Sequence, residues 1–498
     1  MTNPTRWQPR AVALAALLVA ATAAPAGAVG VKQIHHDTFH NTTSQHATEV
    51  EPDTFSHHGT TIAAMQVGRF FDGGASDIGW SRTTDGVNWT QGNLPGMTEQ
   101  STPPNTFFAR ASDASVAYSA ANHAWLISSI PLQVNTLNVP TVFVSRSTDD
   151  DGASFGPPVT IPAPPVRKVD LDKNWTVCDN TGGQFDGHCY TEFDNFAEGD
   201  LEYMSTSTDG GAIWSTPVFP AGRPKGLGGQ PVVQPDGTVI VPFEALNGKI
   251  EAFRSTDGGQ TWGDVAVVDN VTSHANSGGL RTSPLPSAEI DGDGTVYVAW
   301  QDCRFQRKCS ANDIVFSKST DGVNWGPTTR IPIANVGDTQ NDHFIPGIAV
   351  DPSTSGSSAH VALTYYFYTD AACAPADCVL QAGTISSSDA GAHWGGQDTI
   401  GDSMHLNQIA DTSQGRMVGD YISTSFLTQP GITTPQKYTT AVDIGQGTPT
   451  STQTFDEATY APLTPISVAS GGAPAQTSGA HRFTGQGTGE THHALRDD

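Results

Sequence analysis

The sequence predicts an all-β chain assembled from small, repeated antiparallel sheets, and three observations carry that prediction. A Ser/Thr-x-Asp-x-Gly octet closed by an aromatic residue recurs six times. Short alternating strands separated by polar turns recur between its copies. The 52 Gly and 33 Pro among 498 residues leave few long runs of helix formers.

The clearest octet is Ser255-Thr256-Asp257-Gly258-Gly259-Gln260-Thr261-Trp262. It returns as Ser207 to Trp214 and as Ser387 to Trp394, and in copies one residue shorter as Thr84 to Trp89 and Thr320 to Trp325. A longer copy, Ser147 to Phe155, ends in Phe. The chemistry suits a tight hairpin. Ser/Thr and Asp side chains accept hydrogen bonds from the turn's own N–H groups, and Gly tolerates the positive φ that such a turn needs. The aromatic ring has an apolar face large enough to wedge against a neighbouring sheet.

Between octets, Thr60 to Val67 leads to Asp77-Ile78-Gly79-Trp80, Ser115 to Tyr118 precedes Ala124 to Ile127, and Pro231 to Val233 precedes Thr238 to Val241. Glu289-Ile290 precedes Thr295 to Trp300, with Asp291-Gly292-Asp293-Gly294 as the hairpin turn. Each unit therefore holds two strands, a connection, a third strand, the octet and a fourth strand, which is the blade of a β-propeller. A unit precedes each of the six octets, and a last one without an octet runs from about Met404 to Ile444. That count favours seven blades, with six as the alternative.

The N-terminus reads as an export signal over residues 1–28. Arg6 and Arg10 flank an apolar run from Ala11 to Ala24, and Ala26-Gly27-Ala28 is an A-x-A cleavage site. No later stretch is long and apolar enough to span a bilayer, so a secreted chain without a membrane span is expected. The net charge of −26 argues against nucleic acid as a partner, because phosphate binding needs clustered Lys/Arg. The six cysteines form three close pairs, Cys178/Cys189, Cys303/Cys309 and Cys373/Cys378, which in an exported chain predict three local disulfides. The propeller is expected over 29–466. The Gly/Ala/Thr-rich stretch 467–498 reads as an unstructured tail, in which His492-His493 is a solvated pair.

The octet resembles the Asp-box (BNR) repeat of the sialidase-like β-propellers, S-x-D-x-G-x-x-W, and the resemblance extends over most of the mature chain. It implies fold before function. Sialidases of that family use an arginine triad for the substrate carboxylate, a Tyr nucleophile assisted by Glu and an Asp acid/base, an exception to the two-carboxylate scheme. Their first arginine lies in an F/Y-R-I-P motif at the start of the first blade; Glu51-Pro52 takes that place here.

In a four-stranded meander the octets mark one end of the ring, and ligands of propellers usually occupy the other, among the longer loops. Arg82, Arg146 and Arg254 precede octets and read as solvated, and Arg416 is placed in a hairpin at the octet end. Arg69, Arg110, Arg281 and Arg304 fall at the opposite end, where guanidinium forks match a carboxylate bidentately. The alternative pairs them with local acids such as Asp72 and Asp302. Asp72 is the candidate acid, in preference to Asp77, which begins a strand. Tyr368 and Tyr421 are the candidate nucleophiles (with Tyr366 beside them), and Glu192 is a further catalytic candidate on the rim. Asp172, Lys173, Trp175, Asp302 and His343 are further candidates for substrate contact. No metal or cofactor is expected, and the chain reads as a monomer acting on extracellular carbohydrate. Two readings follow: a secreted sialidase-like exo-glycosidase, supported by the rim arginines, and a non-catalytic glycan- or protein-binding propeller, favoured by Glu51-Pro52. A third, a glycosidase or lyase for neutral or uronic polysaccharides, needs two carboxylates facing each other across the channel.

Overall fold

The computed structural model describes residues 28–147, 149–337, 339–427, 438–443, 458–462 and 473–477. The expected export signal lies outside them, apart from Ala28, as do Thr148 of the second octet and His492-His493. The described chain is all-β, with only short 3-10 turns between strands.

Strands form where the alternating patterns predict them. The first unit is Glu49–His57, Thr60–Arg69, Ala75–Thr83 and Thr90–Asn93 in antiparallel succession. The second is Phe108–Ser119, Ala124–Gln133, Phe143–Ser147 and Val159–Thr160. In the third, Leu171–Cys178, Cys189–Asn195 and Leu201–Ser207 are followed by only a bridge between Met204 and Val218. Val232–Val233, Val239–Ala245, Lys249–Ser255 and Ala266–Asn270 make the fourth. Ser287–Ile290, Val296–Asp302, Asp313–Ser319 and Thr329–Arg330 make the fifth, and Asp342–Val350, Val361–Tyr368, Val379–Ser387 and His393–His405 the sixth.

After the sixth unit the division differs from the sequence expectation. Met404 ends the sixth sheet, Leu406–Gln408 is a 3-10 turn, and Ala410–Thr412 pairs with Gly415–Met417 as a small hairpin. The last sheet starts only at Ser423–Phe426, continues through Tyr438–Asp443 and Ala458–Pro462, and is completed by Lys32–Gln33 from the N-terminus. Two distant pieces of chain share one sheet, which a unit-by-unit reading of sequence does not anticipate. Within the stretch expected as tail, Ala473–Pro474 pairs with the sixth sheet and Gln476–Thr477 with the fifth.

The first strands of successive units touch in order, and Ser423–Phe426 touches Glu49–His57 in turn. A central channel of about 470 Å³ is lined by residues from each of these strands. The hydrophobic core lies between neighbouring sheets, and the octet aromatics are its wedges. Phe155 packs between the first and second units, Trp214 between the second and third, Trp262 between the third and fourth, and Trp394 between the fifth and sixth.

The octets fold alike. Ser255 Oγ donates to Asp257 Oδ1 at 2.8 Å and accepts from Gly259 N, while Asp257 Oδ1 accepts from Thr261 N at 2.9 Å. Ser207/Asp209 and Ser387/Asp389 repeat this pattern. Gly259 is required twice over: its φ is +81°, and a Cβ there would meet Thr206 Oγ1 at 2.3 Å. A residue just before five of the six octets is a clamp and not merely solvated. Arg82 donates to the Asp151 carbonyl, Arg146 to Gly210, Thr206 to Gly259, Arg254 to Asp321 and Lys318 to Ala390, each reaching the octet of the next unit. The three disulfides join the predicted partners, Cys178–Cys189 across paired strands and the other two within loops.

Candidate functional site at the mouth of the channel

The end opposite the octets is built from a repeated irregularity. The register of the first strand slips between Val50 and Asp53, Ser112 and Ser115, Asp172 and Trp175, and Phe344 and Gly347. Inside each slip one residue is left-handed: Glu51 at φ +56°, Asp113 at +54°, Lys173 at +50° and Ile345 at +49°. A non-glycine residue in that region costs about 1–2 kcal/mol, and such strain clusters where a side chain is being re-aimed.

Three of these side chains meet. Lys173 Nζ makes a short contact with Asp420 and lies 3.5 Å from Asp113 Oδ2 and 3.9 Å from Glu51 Oε1. Arg281 Nη2 reaches Asp420 Oδ2 at 2.7 Å. Gln66 donates to Glu51 Oε2 and accepts from Arg69 Nη1 at 3.0 Å. All of these groups are buried. Burial opposes the charge on Lys173, but Asp113, Asp420 and Glu51 outweigh it and hold the ammonium well above its usual range. Burial likewise pushes Asp420 up, while Arg281 and Lys173 overcome it and keep that carboxyl ionised far below the ordinary range. Glu51 rises to about 7, because burial exceeds the attraction of Lys173.

Above this cluster is a cavity of about 40 Å³, bounded by Arg69, Asp172, Lys173, Arg281, Glu51 and Met417 among others. Below it Trp175 and Tyr421 meet edge to face at 5.1 Å, and Tyr421 Oη donates to the Ala114 carbonyl at 2.9 Å. Of the sequence candidates, Arg69, Asp172, Lys173 and Arg281 therefore share one cavity, with Trp175 and Tyr421 one layer beneath. Arg110 pairs with Asp72 at 2.6 Å on the adjoining rim, its guanidinium 4.1 Å from the centre of the Phe70 ring. Burial raises the Asp72 carboxyl, but Arg110 outweighs it and the group titrates below its ordinary range.

The remaining candidates lie elsewhere. Arg304 is held by Asp302 at 2.7 Å and by Asp269. His343 packs against Tyr365 and Phe367. Tyr368 is buried edge to face with Phe344, and burial drives its hydroxyl upward. Glu192 is buried beside Glu202, and burial with that neighbour raises it well above the carboxylate range. Asp77, inside a strand as expected, accepts from Ser101 Oγ at 2.7 Å. Arg416 is a correction: its hairpin accepts Arg281 N at 2.7 Å and holds Gln45, so it lies beside the mouth and not at the octet end.

Glu51, Asp113, Asp420, Gln66 and Met417 were not found as mouth residues from sequence. Glu51-Pro52 and Ile345-Pro346 carry a weak signal, since Pro cannot donate to a ladder and marks a bulge; Asp113 and Asp420 carry none.

No protein-family model matches the chain, and no curated protein matches it with significance. Solved structures similar to it include a protein of unknown function from Dyadobacter fermentans (15% identity, 72% of this chain and 99% of that one, TM-score 0.45). The NanB sialidase of Streptococcus pneumoniae aligns at 12% identity over 87% of this chain and 70% of its own, with a TM-score of 0.43. An α-L-arabinanase from Penicillium chrysogenum aligns at 10% identity over 87% and 97%, with a TM-score of 0.45.

Proposed function

We propose that this chain is an exported, closed seven-bladed Asp-box propeller that binds carbohydrate at its mouth without cleaving it. The observation that carries the reading is the state of the mouth cations. Arg110, Arg281 and Lys173 are each paired with a carboxylate of the chain itself. At Arg281 and Lys173 a free sugar carboxylate would have to displace the buried Asp420, leaving an unpaired charge at a cost of about 3–5 kcal/mol. The 40 Å³ cavity is far below the several hundred Å³ typical of small-molecule sites. The cyclic contact of the first strands, with Lys32–Gln33 completing the last sheet, supports closure.

What the mouth does offer is an open rim. Phe71 and Phe107, 54% and 77% exposed, lie next to Asp72 and three residues before Arg110 in the sequence. Exposed rings beside a fixed ion pair give a sugar an apolar face to stack on and groups to hydrogen-bond. A glycan array tests this: wild type is expected to retain particular glycans, and Phe107→Ala and Phe71→Ala to lose at least tenfold in affinity. Equal retention by both variants would remove the rim assignment. The sialidase reading keeps one supporting observation, that Arg69 and Arg281 line the same cavity.

A further inference from the structure

The channel beneath the mouth is a separate space with its own entrance. Its inner end is closed by the Trp175–Tyr421 pair and the ion cluster above it. Its other end reaches Thr181, Pro235, Gly292 and Pro352, exposed residues of the first-to-second turns, so it opens among the octets. At about 470 Å³ it has the size of a ligand site, which the mouth cavity lacks.

The lining has one sign of charge. Asp53, Glu289 and Asp291 contribute carboxyls, Phe55, Trp175 and Phe426 contribute rings, and among the described residues no Lys or Arg lines the wall. Asp291 is committed to its own turn, accepting from Asp293 N, Thr295 N and Tyr297 Oη. Asp53 accepts from Val116 N at 2.7 Å, and among the described residues neither Asp53 nor Glu289 has an ion pair. This is the reverse of the mouth, where each acid of the ion cluster faces Lys173 or Arg281.

We propose that the channel is a binding site for an organic ammonium ion, a protonated amine on a carbon skeleton, entered from the octet end. The carboxyls of Asp53 and Glu289 supply the counter-charge that the protein omits, and the aromatic wall accommodates the carbon chain and the cation. Burial raises Asp53 to about 7 and Glu289 to about 8, with Asp53 adding to the rise at Glu289, so an arriving ammonium ion is held as these carboxyls give up their protons. The strongly acidic surface, at net −26, concentrates cations at the entrance.

The test is calorimetric titration of the full chain with spermidine, and with glucosamine oligomers beside their N-acetylated counterparts. Saturable binding of spermidine, weakened at least tenfold in Glu289→Gln and in Asp53→Asn, is expected. Asp236→Asn, an exposed change outside the channel, should leave it unchanged. Binding of amino-sugar oligomers but not acetylated ones would identify the amine as the recognised group. Both channel variants are expected to melt no lower than wild type, because each removes a desolvated acid. The proposal is overturned by an absence of saturable heat with either amine, by equal loss in Asp236→Asn, or by retention in both folded channel variants. Calcium displacing spermidine at equal concentration would also overturn it, in favour of a metal.

Discussion

The two ends of the central channel solve opposite problems. At the octet end, a turn such as Ser255 to Trp262 satisfies its own backbone through one Ser and one Asp, and the residue before it reaches over to the next unit. Every contact there is local or between neighbours, so it can be repeated unit by unit. At the mouth, residues from the first, second and third units, Asp420 before the last sheet and the Arg281 loop converge on one buried ion cluster. Repetition makes the octet end tolerant of single losses; convergence makes the mouth intolerant of them.

That contrast can be broken first at Lys173. Lys173→Ala leaves Asp113 and Asp420 buried without their shared cation, and a loss of about 3–5 kcal/mol in denaturant unfolding is expected. A loss under 1 kcal/mol would mean that water reaches the cluster.

The pH dependence is the next largest effect. Burial raises Asp53 and Glu51 to about 7 and Asp77 and Glu244 to about 8. Each keeps its proton in the folded chain where the unfolded chain, with pKa near 4, has lost it. Stability therefore falls as pH rises from about 4 through 8. The octet carboxyls Asp209, Asp257 and Asp389 act in the other direction: burial raises them, turn hydrogen bonds outweigh it, and their contribution disappears as pH falls below about 4. Thermal melts should peak near pH 4–5 and drop by about 5–10 °C by pH 8. A melting temperature that rises over that interval would contradict the burial of these acids.

Smaller effects are expected at the octets. Asp257→Ala removes the acceptor for Thr261 N and the Ser255 hydroxyl and should cost about 1–2 kcal/mol. Arg254→Ala removes one bond to the neighbouring Asp321 carbonyl and should cost below about 1 kcal/mol by the same unfolding measurement. If Arg254→Ala proved the costlier of the two, the linkage between units, and not the turn, would dominate this end.

The octet end was legible because its chemistry is local: Ser, Asp, Gly and Trp at fixed offsets suffice to specify a turn, and short cysteine spacings suffice to specify the disulfides. The mouth was not. Lys173, Asp172, Arg69 and Arg281 could be named as rim residues, but their partners Glu51, Asp113 and Asp420 are far away in sequence. Their convergence depends on slips in register that a non-glycine residue at positive φ does not announce. Arg416 was misplaced for a related reason. Its hairpin follows the last octet, where the repeat ends and the offsets that located everything else no longer apply. The final sheet was misdivided because one of its strands, Lys32–Gln33, comes from the other end of the chain.

The central claim is that Arg110, Lys173 and Arg281 already hold their anions. The initial rate of wild-type protein on a fluorogenic sialoside tests it most directly. The account predicts a rate indistinguishable from buffer. Turnover well above that blank, reduced in Arg281→Ala, would contradict it, because it would show that Arg281 leaves Asp420 for a substrate carboxylate.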